Sequence, residues 1–199
     1  TLYLGGGTPT QLNIEDLKLI VEKLNTVYDL SSLQEFTIEA NPDDLTKAKL
    51  HELKSSPVNR LSIGIQSFFD EDLKLMNRAH NAAHAKKSIE ESLNAGFENL
   101  TIDLIYGTPG LSNANWKKNL QTVFDFEVKH LSCYSLTVEE KTPLQSFIKK
   151  GKTKPVEEEQ SAEQFLILME PAAKNGYEHY EISNFCKPGF HSRHNSNYW

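Results

Sequence analysis

The chain has 199 residues, of which 38% are hydrophobic and 24% are charged, and this composition excludes a disordered protein. Its net charge of −6 argues against a protein that binds nucleic acid mainly through phosphates, and no apolar run is long enough to span a membrane. The two cysteines, Cys133 and Cys186, lie far apart and show no spacing typical of a zinc or iron–sulfur site. Because no secretory feature is present, we expect a cytoplasmic protein with two free thiols.

Segments typical of strands and of helices alternate along the chain. Strands are predicted over residues 2–4, 35–40, 60–66, 100–106, 130–136 and 179–183. Apolar spacing and capping residues predict helices over 14–28, 46–55, 71–76, 81–96, 112–126 and 157–175. The charged stretch 149–159 is predicted to be a solvated loop. About six βα units predict an α/β fold with a parallel sheet, either an open doubly wound sheet or an incomplete barrel.

One face of the predicted sheet is polar. Ser62, Gly64 and Gln66 alternate with apolar residues in one strand, and Glu39 and Asp103 alternate in the same way in two others. A parallel strand that is buried on both faces is expected to be apolar throughout, so this face predicts a wet lumen lined by ligand contacts. Burying an ionised carboxylate inside a sheet costs free energy unless the group is paired or hydrogen-bonded. A purely structural role is therefore harder to accept for Glu39 and Asp103.

Further polar segments follow the C-terminal ends of the predicted strands, where α/β proteins bind ligands. Residues 5–8 read Gly-Gly-Gly-Thr, and three glycines allow a ligand to approach the backbone closely. This loop is neither a Walker loop nor a GxGxxG motif. Asn41, Ser67 and Thr108 could equally be turn or capping residues, and that alternative stays open.

Five segments, in this order, resemble one protein family. They read Gly-Gly-Gly-Thr-Pro-Thr at 5–10, Glu-Ala-Asn-Pro at 39–42, Arg-Leu-Ser-Ile-Gly-Ile-Gln-Ser-Phe at 60–68, Asn-Arg-Ala-His at 77–80 and Ile-Asp-Leu-Ile-Tyr-Gly-Thr-Pro-Gly at 102–110. Together they resemble radical S-adenosylmethionine proteins, and among these the oxygen-independent coproporphyrinogen III oxidase family. Segment 176–185 and the final His-Asn-Ser-Asn-Tyr-Trp at 194–199 resemble the haem-chaperone branch of that family.

The resemblance implies an incomplete parallel (β/α)6 TIM-like barrel of the radical S-adenosylmethionine type, with its first strand missing. The CxxxCxxC motif of the family, which binds the cluster, would lie upstream of residue 1, so no metal ligand is expected in this chain. Residues 1–185 would form the partial barrel. Residues 186–199, which carry the HNxxYW pattern, would lead toward a further C-terminal domain. The chain alone is therefore expected to be inactive.

The resemblance also implies which residues bind S-adenosylmethionine: Gly6, Gly7, Thr8, Glu39, Gln66, Arg78 and Asp103. The glycine loop would meet the amino group and methionine part of the cofactor through backbone atoms. Glu39 would accept a hydrogen bond from the cofactor, and Arg78 would pair with a carboxylate. Gln66 and Asp103 match positions that touch a second S-adenosylmethionine in the oxidase branch, and hydrogen bonding within the lumen is their alternative role.

The implied cofactors are S-adenosylmethionine and a 4Fe-4S cluster, with haem as a further ligand. In the chaperone branch, the protein binds haem and passes it to haem-accepting proteins; in the oxidase branch, two propionates of coproporphyrinogen III each lose CO2. We favour the chaperone and keep the oxidase as the alternative. His194 is the expected haem ligand and His191 the second choice, because imidazole binds haem iron and the neighbouring Tyr198 and Trp199 offer flat apolar faces.

Overall fold

Seven strands form one sheet in the computed structural model, which describes residues 1–197. They are β1 (Leu2–Leu4), β2 (Phe36–Ala40), β3 (Arg60–Gln66), β4 (Leu100–Tyr106), β5 (His130–Ser135), β6 (Glu178–Glu181) and β7 (Asn184–Cys186). Their order across the sheet is β1-β2-β3-β4-β5-β7-β6. Neighbours from β1 to β5 are parallel, whereas β7 is antiparallel to both β5 and β6. The predicted α/β fold with a mostly parallel sheet is therefore confirmed.

Helices connect the parallel strands, and one more helix follows β7. In the described part of the chain they are α1 (Ile14–Asn25), α2 (Lys47–Lys54), α3 (Asp70–Leu75), α4 (Ala82–Asn94), α5 (Asn113–Asp125), α6 (Pro143–Lys149), α7 (Glu158–Lys174) and α8 (Arg193–Ser196). The predicted caps Asn13, Asn81 and Ser112 each accept a backbone N–H from the first turn of their helix, at 2.8, 2.8 and 3.1 Å. These bonds fix where α1, α4 and α5 begin, and hence where the preceding loops leave the sheet.

The two faces of the sheet differ as predicted. Leu61, Ile63 and Ile65 of β3 are fully buried in the hydrophobic core. The alternating residues Ser62 and Gly64 line a polar cavity on the opposite face. Because successive side chains of a strand point to opposite faces, a single strand supplies both the apolar core and the polar lumen.

The predicted sixth strand is present as β6, but a strand that was not predicted, β7, lies between it and β5. β6 pairs with β7 rather than with β5, and only Ile182 and Ser183 separate β6 from β7. A parallel pair needs a crossover of a dozen or more residues, so two residues allow only a hairpin. β6 consequently runs in the same direction as β1–β5, but the antiparallel β7 lies between it and β5.

Two other segments differ from the sequence prediction. Helix α6 was not predicted, although Thr142 caps it and Pro143 occupies its first position. Helix α1 ends three residues before the predicted Tyr28, and the side chains of Val27 and Tyr28 are mostly exposed, which leaves this last turn without packing. The irregular connection between α6 and α7 agrees with the predicted solvated loop.

The C-terminal segment folds back onto the N-terminal ends of β1 and β2. The buried carboxylate of Glu35 accepts the backbone N–H groups of Arg193 and His194, at 2.9 and 3.0 Å. The His194 ring stacks on Tyr3 of β1, with ring centroids 4.3 Å apart. The beginning of α8 thus packs against the sheet, and the predicted domain boundary after residue 185 stays a prediction.

Candidate cofactor site

A polar cavity of about 230 Å³ lies on the lumen face of β2, β3 and β4, beside the loop after β1. We call it the cofactor cavity. It is lined by Gly7, Thr8, Pro9, Glu39, Ala40, Asn41, Ser62, Gly64, Gln66, Arg78 and Asp103. Six of the seven residues predicted to bind the cofactor are among them. The seventh, Gly6, donates its backbone N–H to Glu39 Oε2 at 2.9 Å, so the structure brings all seven together.

Glu39 holds the glycine loop against the sheet. One of its carboxylate oxygens accepts the N–H of Gly6, and the other accepts the Tyr3 hydroxyl at 2.9 Å. Burial, together with the nearby Glu39 charge, raises the pKa of Tyr3, so this hydroxyl remains a neutral donor. Each carboxylate oxygen keeps a further lone pair that can accept a bond from a ligand.

The three glycines of the loop have different structural roles. A Cβ on Gly5 would lie 2.6 Å from Tyr3 Cε1 and 2.8 Å from Glu39 Oε1, so only glycine allows this close approach. Gly6 and Gly7 have φ angles of +81° and +67°, in the left-handed region that glycine adopts readily. No atom lies within 4 Å of a Cβ built on either residue, which leaves their backbone open to a ligand.

Arg78 reaches the cavity from the loop after α3. Its Nη2 donates to Asn41 Oδ1 at 2.5 Å and to the carbonyl oxygen of Gly64 at 3.4 Å. The Asn41 amide in turn donates to Thr8 Oγ1 at 3.4 Å, which connects the loops after β1 and β2. The guanidinium has five N–H donors, so these contacts leave donors for an anionic group.

Gln66 ends β3 in an uncommon conformation. Its φ is +65°, and the pairing of β3 with β4 shifts between Gly64 and Gln66. Non-glycine residues in this region of φ are uncommon and occur often at functional sites. A Cβ on Gly64 would lie only 2.8 Å from Gln66 Nε2 and 3.3 Å from Arg78 Nη2. Gly64 therefore gives both polar side chains access to the cavity.

Asp103 supplies a carboxyl group whose charge depends on its surroundings. Its pKa is raised to about 7 by burial, which is the largest cause, and by the neighbouring Glu39 charge, while hydrogen bonds from Ser62 and Ser132 act to lower it. The Ser62 hydroxyl lies 3.2 and 3.3 Å from the two carboxylate oxygens. A cationic ligand in the cavity would stabilise the ionised form of Asp103.

Sequence reasoning placed Ser62 and Gly64 on the polar face without assigning them a role, and it missed Tyr3. Tyr3, Ser62 and Gly64 act through Glu39, Asp103 and Gln66, respectively, and none of these contacts is visible as a motif. For Ser62 and Gly64, their position on the polar face of β3 was the available signal. For Tyr3, the pairing of β1 with β2 was needed, because it sets Tyr3 beside Thr37 and brings its hydroxyl within reach of Glu39.

The two predicted haem ligands lie away from the cofactor cavity. His194 is partly buried in α8 and stacks on Tyr3, and His191 is exposed in the segment before α8. His191 Nε2 lies 3.4 Å from Glu178 Oε2. Tyr198 and Trp199, which complete the HNxxYW pattern, lie outside the described residues.

The cysteines do not fit an iron–sulfur cluster. Cys133 and Cys186 are both buried and free. They lie on opposite faces of the sheet, since Cys133 shares the face of Leu131 while Cys186 is the register partner of His130. A 4Fe-4S cluster is held by cysteine thiolates, and two thiols on opposite faces cannot supply such a set.

A profile of the Radical SAM superfamily matches residues 1–123, which contain the glycine loop, Glu39, Gln66, Arg78 and Asp103. The chain belongs to the Radical SAM superfamily. Membership implies S-adenosylmethionine and a 4Fe-4S cluster as the cofactors of this class of protein. The residues of this chain fit one of these two cofactors, S-adenosylmethionine, because they form a polar cavity with an open glycine backbone and charged groups of both signs.

Two sequence relatives of this radical SAM chain carry the same name. The protein named Heme chaperone HemW of Bacillus subtilis is 42% identical over 200 residues, and that of Lactococcus lactis is 40% identical over 199 residues. Each match covers the whole chain but 53% and 52% of the relative, so the chain spans about half the length of these curated relatives.

A solved structure is also similar to this chain. It is described as coproporphyrinogen III oxidase (HemN) from Escherichia coli, a radical SAM enzyme, and has a TM-score of 0.82 at 26% identity. The match covers 94% of this chain and 43% of the other. The similarity supports the assignment of the fold as a radical SAM barrel.

Across residues 1–197, every helix is too short or too polar to cross a membrane.

Proposed function

We propose that the cofactor cavity binds S-adenosylmethionine. The convergence of Gly6, Glu39, Arg78 and Asp103 around one polar space is the observation that carries this proposal. S-adenosylmethionine carries a cationic amino group and sulfonium together with an anionic carboxylate, and the cavity offers two carboxyl groups and one guanidinium. When bound to a reduced cluster, this cofactor supplies a 5′-deoxyadenosyl radical. The residues of this chain orient the cofactor and limit its contact with water.

In this proposal each part of the cavity has a separate task. The open backbone of Gly6 and Gly7 contacts the methionine part, and Glu39 fixes that loop while accepting a hydrogen bond from the ligand. Arg78 pairs with an anionic group, held in place by Asn41. Asp103 adds a negative charge when a cation approaches.

The test is calorimetric titration of the full-length protein with S-adenosylmethionine. Glu39→Ala and Arg78→Ala each remove a charge-assisted contact of about 1.5–3 kcal/mol, so affinity should fall about 10- to 150-fold. The exposed Glu90→Ala and Arg193→Ala are matched controls that should bind like the parent. Unchanged affinity in both cavity variants would remove the assignment.

We further propose that the full-length protein is a haem chaperone that passes haem to haem-accepting proteins, in a reducing cytoplasm that suits two free thiols. Identity of 42% along the whole chain to a protein named Heme chaperone HemW supports this function. His194 is the proposed ligand of the haem iron, because imidazole nitrogen is a common axial ligand. Its position beside Tyr3 gives it a neighbour whose hydroxyl contacts Glu39 of the cofactor cavity.

The haem proposal is tested by titrating the full-length protein with haem and recording the Soret band. His194→Ala should weaken binding or shift the band, whereas the exposed His84→Ala, in the remote helix α4, should behave like the parent. If His194→Ala and His191→Ala both bind haem with the parent's affinity and spectrum, the tail does not hold the iron.

Coproporphyrinogen III oxidation is the second candidate function, favoured by the TM-score of 0.82 to an enzyme of that name. In that reaction, two propionate groups of coproporphyrinogen III are decarboxylated. An anaerobic assay with S-adenosylmethionine, reductant and coproporphyrinogen III separates the two functions. We expect haem binding without formation of protoporphyrinogen IX, and steady turnover would establish the oxidase instead.

A further inference from the structure

Three potential metal ligands meet at the opposite end of the sheet from the cofactor cavity. They are Glu178 of β6, Cys186 of β7 and His191 of the segment before α8, and we call them the ligand triad. In the described residues 1–197, one ligand atom from each lies within 4.8 Å of the other two. His191 Nε2 is already 3.4 Å from Glu178 Oε2.

The backbone holds two of the three residues in register. Glu178 and Cys186 are direct partners in the antiparallel β6–β7 pair, so their side chains share one face and lie side by side. Cys186 is also the partner of His130 on β5, which anchors β7 to the main sheet. The hairpin therefore supplies a carboxylate and a thiol as a preformed pair.

The third residue returns to this pair through a turn. Directly after β7, the N–H of Lys187 bonds to the carbonyl oxygen of Lys129, and the N–H of Phe190 bonds to the carbonyl oxygen of Lys187. The Tyr180 ring meets the edge of the His191 ring, with centroids 4.8 Å apart. These contacts hold the partly exposed imidazole beside the hairpin.

Thiolate, imidazole and carboxylate are the three ligand types that bind zinc in proteins. Ligand atoms that bind zinc at about 2.0–2.3 Å in a tetrahedron are about 3.5 Å apart, so closing the site requires movements of about 1 Å. A thiolate and a carboxylate together carry two negative charges, which match a divalent cation. Zinc binds cysteine as the thiolate, so the metal would displace the proton of the Cys186 thiol when it binds.

We propose that Glu178, Cys186 and His191 bind one divalent transition-metal ion of the zinc class, with a fourth position left for water or an external ligand. The ion would tie the β6–β7 hairpin to the segment that leads into α8, the helix whose His194 stacks on Tyr3. The proposal does not depend on the proposed function. It also assigns His191 to a metal other than haem iron.

Cobalt provides a direct probe of this site in the 199-residue chain. The chain has two cysteines, and of these Cys186 is the one grouped with two other potential ligands in the described residues, so a thiolate-to-cobalt charge-transfer band reports Cys186. We expect one Co²⁺ per chain, a near-ultraviolet charge-transfer band, and loss of that band when Zn²⁺ is added. Cys186→Ala should abolish the band, while Cys133→Ala should retain it.

The two exposed ligands test the rest of the site. His191→Ala and Glu178→Gln should each weaken Co²⁺ binding at least about tenfold, since even the loss of an outer partner of a metal site has that effect. His84→Ala is the matched control and should bind Co²⁺ like the parent. Absence of the charge-transfer band at one equivalent, or full affinity in His191→Ala, would overturn the proposal. If Cys186→Ala fails to fold, X-ray absorption of the zinc-bound parent decides, because a shell without sulfur refutes the site.

Discussion

Asp103 lines the cofactor cavity, and burial of its carboxyl group should lower the stability of the fold when the group is ionised. The variant Asp103→Asn tests this effect. The pKa of Asp103 in the folded chain is about 7, whereas the ordinary value is 3.8. Between these two pH values the folded chain keeps a proton that the unfolded chain has lost. The free energy of unfolding therefore falls as pH rises through this window, and the loss is complete above pH 7.

The size of the effect follows from the shift. A difference of about 3 pKa units corresponds to about 4 kcal/mol at 1.36 kcal/mol per unit, which is an upper limit. Asp103 lines a cavity that admits water, so we expect about half of this, or about 2 kcal/mol. Asparagine resembles the protonated carboxyl and has no charge to bury. The variant should therefore gain about 2 kcal/mol relative to the parent between pH 4.5 and pH 8.

The assay is urea unfolding of parent and variant at four pH values across this range. The exposed Asp125→Asn serves as the control for the loss of one negative charge. A stability difference between parent and Asp103→Asn that stays constant from pH 4.5 to pH 8 would refute the electrostatic account of this carboxyl group.

Three further predictions concern the glycine loop, the C-terminal helix and the missing cluster. Gly5→Ala forces a Cβ against Tyr3 and Glu39 and should destabilise the fold by about 1–3 kcal/mol in urea unfolding; unchanged stability would mean that the loop relaxes freely. Glu35→Ala removes the acceptor for two N–H groups of α8, a loss of about 1.5–3 kcal/mol. Hydrogen exchange of these two amides should therefore be at least about tenfold faster in the variant. Exchange at the parent's rate would contradict this prediction. Anaerobic treatment of this chain with iron and sulfide should form no 4Fe-4S cluster, and four irons bound per chain would contradict this.

The sequence predicted the central strands best because two independent signals agree there. In β3 and β4 the alternation of apolar and polar residues is regular, and the predicted bounds match Arg60–Gln66 and Leu100–Tyr106. The same alternation indicated that Glu39, Gln66 and Asp103 share one face, and the structure brings them to one cavity. A period of two residues thus specifies both the strand and the side of the sheet that holds the site.

Contacts between distant segments were beyond sequence reasoning. Strand β7 was not recognised in the sequence, and without it the Glu178–Cys186 pairing could not be predicted. Glu35 reads as the first residue of a strand, yet it accepts hydrogen bonds from residues more than 150 positions later. Such contacts depend on where the chain returns after the last helix, and local pattern carries no information about that position.

The central claim is that the residues around the glycine loop form the binding site for S-adenosylmethionine. Titration of the isotope-labelled 199-residue chain with S-adenosylhomocysteine, followed by amide NMR, tests this claim most directly. We predict saturable shifts that concentrate at Gly6, Gly7 and Thr8 and at the Arg78 side chain, and that require about 10- to 150-fold more ligand in Glu39→Ala. Shifts confined to the outer surface between α2 and α4, or no shifts at millimolar ligand, would contradict the account.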